Sequence, residues 1–136
     1  MLNRRKFLEA GIAGALFSLL SNGASGADVM RKQVFKRDLP NLNLDGWEVT
    51  ALEIAFPPGV VPAKHRHPGF VLGYVLAGDF RFRMEGEQER IVHAGEMFFE
   101  SPDKIHVLSA SADQSEPAKI LVLVFGEKGK AVSAPA

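Results

Sequence analysis

The sequence predicts an all-β fold in a single domain, and three observations carry the prediction. Short apolar stretches broken by Gly and Pro recur about every ten residues from Trp47 onward. Several alternate apolar and polar residues with period two. After the N-terminal segment, no stretch repeats apolar residues at helical spacing over two turns. A chain of 136 residues has room for one core and not for two ordinary domains. Strands of this kind close into a sandwich or a jelly-roll barrel whose inner faces share that core.

Each element has its own signature. Leu52, Ile54 and Phe56 alternate with Ala51, Glu53 and Ala55, marking a half-buried strand from Trp47 that Pro57-Pro58-Gly59 ends. Phe70 to Leu76 is β-branched and aromatic and is closed by Ala77-Gly78-Asp79. Phe80, Phe82 and Met84 then alternate strictly with Arg81, Arg83 and Glu85, which turns both arginines to water. Glu85 to Glu89 reads as a turn, Arg90 to His93 as a short strand, and Ala94-Gly95-Glu96 as a turn. Met97 to Phe99 reads as a strand that stops before Pro102. Val107 and Leu108 continue after His106, Ser109 to Lys119 is polar enough to predict a loop, and Ile120 to Phe125 is a buried strand. Residues 127–136 are predicted to be a flexible tail, so the domain is 28–126 with its core in 47–125.

The N-terminus is a different kind of sequence. Asn3 to Leu8 is basic, Ala10 to Leu20 is apolar, and Ser21 to Ala27 is rich in small residues, the order of a cleavable export signal. The apolar run of about 11 residues is short of the ~18 that a membrane span needs. Its Arg4-Arg5-x-Phe7-Leu8 resembles bacterial twin-arginine signals, which implies export of an already folded chain by that machinery. With 1–27 removed, the protein is expected in the periplasm or outside the cell without a membrane anchor. Three basic residues and one acidic residue leave with the signal, so thirteen basic face fifteen acidic side chains in the remainder, a net charge of −2. That balance gives no reason to expect nucleic acid as a partner.

The absence of cysteine excludes disulfides and thiolate ligands, leaving histidine and carboxylate for metal chemistry. His65 and His67, two apart on an extended segment, point to the same side while Arg66 points away. Two imidazoles need a third ligand from elsewhere, and His106 is the natural candidate. His93 precedes a turn, fits no ligand spacing, and is read as a surface residue.

The wider context is more specific. Pro58-Gly59, five residues, His65-x-His67, Tyr74-Val75-Leu76-Ala77-Gly78, Ala94-Gly95-Glu96 and Glu100-Ser101-Pro102, three residues, His106 together resemble the two motifs of the cupin superfamily, over Trp47 to Phe125. The resemblance implies a jelly-roll (double-stranded β-helix) barrel with a divalent ion (Fe, Mn, Zn, Ni or Cu) in its mouth, held by His65, His67 and His106. It also implies a glutamate ligand three residues before the Tyr-Val-Leu, where this sequence has Val71. Three neutral imidazoles alone would leave the ion strongly Lewis acidic and open to an anionic ligand.

The function so implied is a dioxygenase-type oxidoreductase on a small enolic, diketone or phenolic substrate. A metal- or small-molecule-binding barrel without catalysis is the second reading, and a sugar isomerase or epimerase the third. Glu53 and Glu100 are also candidates for a substitute ligand in place of the absent glutamate, and an isomerase needs a base, for which Tyr74, Glu53 and Glu100 are the candidates. Each also has an ordinary reading, Tyr74 in the core and the two glutamates on the solvent face or ordering a turn. A homodimer in which 33–44 covers a partner's open edge stays open at the level of sequence.

Overall fold

The computed structural model describes residues 27–136; the predicted signal segment lies outside them except for Ala27. Residues 27–31 carry no regular structure, and every strand belongs to residues 32–136. Nine strands are present and no helix occurs among the described residues: β1 Trp47–Phe56, β2 His65–Arg66, β3 Phe70–Ala77, β4 Asp79–Met84, β5 Arg90–His93, β6 Met97–Glu100, β7 His106–Ser111, β8 Ala118–Glu127 and β9 Ala134–Pro135. They form two sheets, one ordered β1-β8-β3-β6 and the other β5-β4-β7-β2-β9, with the pairings antiparallel throughout.

Alternation sets which face each strand buries. Val71, Gly73 and Val75 of β3 point inward, and Phe80, Phe82 and Met84 of β4 meet them from the other sheet, while Arg81 and Arg83 face out as predicted. The rings of Phe80, Phe82 and Phe98 form the centre of the core, with centroids 4.9 to 6.2 Å apart. Such pairs contribute about 1 kcal/mol each beyond their buried area. Gly73 is what admits Phe98: the two are cross-strand partners, and a Cβ on Gly73 would lie 2.0 Å from the ring.

Two predicted boundaries differ. Ser109 to Ser111 belong to β7, where composition predicts a loop. A bulge in β7 at Val107 is the reason: Leu108 pairs with Arg83 and His106 with Met84, so one residue is left over. The bulge turns His106, Ser109 and Ser111 all inward, opposite Met84, Phe82 and Phe80. Their hydroxyls are satisfied inside, Ser109 against His106 and Ser111 by donating to the Glu116 carbonyl at 2.6 Å. The second difference is the predicted tail, since Ala134–Pro135 returns as β9 and pairs with β2. Unmet backbone groups on the short β2 outweigh the weak propensity of that segment.

Candidate metal centre

The site lies between the sheets. His65 and His106 are cross-strand partners on β2 and β7, and His67 comes directly after β2. The three rings are gathered at one place, His65 with centroids 5.0 Å from His67 and 5.1 Å from His106. His106 rests on the aromatic core, 4.8 Å from the Phe82 ring.

From the opposite sheet comes Glu100, the last residue of β6. It is 3% exposed, which corrects the expectation that it faces solvent or orders a turn. Phe98 and Glu100 stand two apart and share the inward face, the one sequence signal that pointed here. Glu100 is the direct cross-strand partner of Val71. A carboxylate therefore stands on the neighbouring strand, at the same height of the barrel as position 71.

Each side chain is held by a specific partner. Nδ1 of His67 donates to the Val132 carbonyl at 2.6 Å and Nδ1 of His65 to that of Ala63 at 3.3 Å, which leaves the lone pair of each neutral ring on Nε2. His106 Nδ1 pairs with Glu100 Oε1, and Ser109 Oγ lies 3.1 Å from His106 Nε2. Glu100 Oε2 sits 2.9 Å from His67 Nε2, yet the two are not aligned as a hydrogen bond, and this buried oxygen has no hydrogen-bond partner.

The electrostatics arise from burial and from this pairing. Burial alone would raise the Glu100 carboxyl, but His106 and His67 outweigh it and hold its pKa at about 2. Burial would likewise lower His67, and Glu100 together with the Val132 carbonyl reverses that, so its pKa is raised. His65 is lowered, by burial first and by its imidazole neighbours, against the Ala63 carbonyl and Glu100.

One donor atom each from His65, His67 and Glu100 lie within 4.8 Å of one another, a spacing that suits a single cation. The compact set thus contains Glu100 where the sequence reading placed His106, which stands beside it against the carboxylate. An unpartnered buried carboxylate oxygen facing an imidazole lone pair is what a divalent ion would satisfy, so the residues fit the group.

The other candidates lie elsewhere. Glu53 faces outward and pairs with Lys119 at 3.0 Å. Tyr74 is on the outer face of β3, its hydroxyl near the Gly95 turn rather than in the core. His93 is exposed, as predicted, and bonds Asp79. Sequence reasoning missed Val132 and Ser109. The first acts through its backbone, which leaves no mark in a sequence, and the second needs the bulge to be known.

Above the site opens a cavity of about 250 Å³. Leu52, Ile54 and Phe56 of β1 and Ile120, Val122 and Val124 of β8 wall it opposite the histidines, and Val132 and Ser133 close its rim.

The cupin-domain family model matches residues 52–124, more than half of the chain. The chain belongs to the cupin family. Solved structures agree on the fold of this cupin. The DMSP lyase DddQ from Ruegeria pomeroyi DSS-3 is 26% identical with a TM-score of 0.58, over 65% of this chain and 43% of the lyase. A cupin-like protein from Thermotoga maritima is 18% identical with a TM-score of 0.53, over 77% and 89% of the two chains. An oxalate decarboxylase from Bacillus subtilis, described with Mn(II) centres, is 18% identical with a TM-score of 0.53, over 64% of this chain and 23% of that one. This cupin spans less than half the length of the lyase it resembles. No curated protein sequence matches it.

Proposed function

We propose that this cupin holds a divalent ion (Fe, Mn, Zn, Ni or Cu) at His65, His67 and Glu100, and acts as a dioxygenase-type oxidoreductase on a small enolic, diketone or phenolic substrate. The observation that carries the metal reading is Glu100 Oε2, buried without a hydrogen bond and 2.9 Å from His67 Nε2. His106 anchors Oε1 and so leaves Oε2 for the cation. A bound ion supplies Lewis acidity and, for Fe or Mn, redox chemistry. The chain's own contribution is orientation and exclusion: Val132 and Ala63 fix the imidazole tautomers, and the β1 and β8 walls keep water from the ligand. The Arg4-Arg5 signal supports loading in the cytoplasm before export to the periplasm or beyond.

Binding without turnover is the second reading. It is favoured by a lining whose titratable groups, among the described residues, are confined to the three histidines and Glu100. The same observation leaves an isomerase without a separate base, because Glu53 and Tyr74 are outside the cavity.

Elemental analysis of the protein isolated from its native compartment tests the metal reading, with about one ion per chain expected and little in His67→Ala or Glu100→Ala. His106→Asn keeps a donor for Glu100 and retains the ion more weakly; loss as complete as in His67→Ala makes His106 a ligand. Metal-free protein that no divalent ion can load would sink the reading. Oxygen uptake with enolic and phenolic substrates separates catalyst from binder.

A further inference from the structure

The described residues that line the cavity include no lysine and no arginine, and their only carboxylate is Glu100. Resting on the metal reading above, the charge of the site can be counted. Imidazoles bring no charge when they bind a cation, so a divalent ion with Glu100 leaves one positive charge. With His106 neutral beside Glu100, nothing else on the cavity wall can balance a ligand. Opposite the donors, the register places Leu52 beside Val122 and Ile54 beside Ile120, a continuous aliphatic panel.

We propose that Glu100 sets the charge of the ligand: the site takes a monoanionic oxygen donor with an apolar body, and rejects small dianions of the oxalate type. The anionic end meets the His65, His67 and Glu100 side, and the apolar body lies on the β1 and β8 panel. A dianion would leave an uncompensated negative charge in an apolar chamber, which is costly at low dielectric. A cavity of about 250 Å³ is below the size of drug-like pockets, so the body is one ring or a short chain. Were His106 also to bind the ion, the count would stand.

The test uses the whole protein loaded with Co(II), with metal content measured before any ligand is added. Benzoate and oxalate are then titrated calorimetrically, with retention of the metal checked afterwards. Benzoate is expected to bind at least about tenfold more tightly, the reverse of their order for free divalent ions. Leu52→Lys adds a cation to the wall at a half-exposed position away from the donors, and should bring the ratio toward one. Oxalate binding as tight as benzoate in metal-retaining wild type overturns the charge argument alone. Protein that takes up no metal overturns the metal reading and this one with it, and the metal content alone identifies that failure.

Discussion

Two histidine–carboxylate pairs occupy opposite environments in this molecule. On the β4–β5 surface His93 Nδ1 meets Asp79 Oδ1 at 2.7 Å, with side chains 60% and 50% exposed. In the chamber His67 Nε2 meets Glu100 Oε2 at 2.9 Å, with side chains 12% and 4% exposed. Distance does not separate them. The hydrogen bond from His93 to Asp79 is aligned, both side chains are open to solvent, and the pair is an ordinary surface contact. At Glu100 burial leaves one oxygen without a hydrogen bond, with a second imidazole in reach. Burial with incomplete pairing is what marks Glu100 as a candidate site; close approach alone would not.

The sharpest way to break the comparison is to remove the buried carboxylate. Glu100→Ala should abolish metal retention, with affinity down by on the order of 100-fold or more in a competitive chelator titration. Because Val71 faces Glu100 across the ladder, the double exchange Val71→Glu with Glu100→Val should restore most of the lost affinity. If it does not, the height of the carboxylate in the barrel is not what matters.

Acid should act on the buried pair. The Glu100 pKa is held at about 2 against a usual 4.5, so the folded state binds fewer protons than the unfolded one between those values. Its contribution is present above about pH 4.5 and is lost as the pH falls through about 2. On the order of 3 kcal/mol disappears in urea titrations of metal-free protein, and Glu100→Gln removes that slope. Deleting 131–136 removes the Val132 carbonyl and β9, which makes the buried pair more like the exposed one. Metal affinity should fall about 10- to 100-fold, the range for loss of a group that orients a ligand. Smallest of all, His93→Ala should change neither metal content nor the unfolding midpoint measurably.

The strands were legible wherever one face is buried and the other wet. Phe80, Phe82 and Met84 against Arg81 and Arg83 left one assignment, and His65-x-His67 announced a shared direction. Glu100 was not legible in this way. It comes after Met97-Phe98-Phe99 and precedes Ser101-Pro102, so the spacing from Phe98 competes with a turn, and only the register shows that it stands opposite Val71. His106, Ser109 and Ser111 share a face through a bulge that alternation does not encode. The segment carrying Val132 is too poor in side-chain signal for its backbone role to be read.

The bond from His67 to Val132 spans 65 positions. Contacts of such separation close late, after nearer partners have shortened the loop between them. Until that closure the second ring, His67, would lack the partner that fixes its tautomer. Capture of the ion would then mark the finished barrel, and its uptake would serve as a stopwatch for the last step of folding.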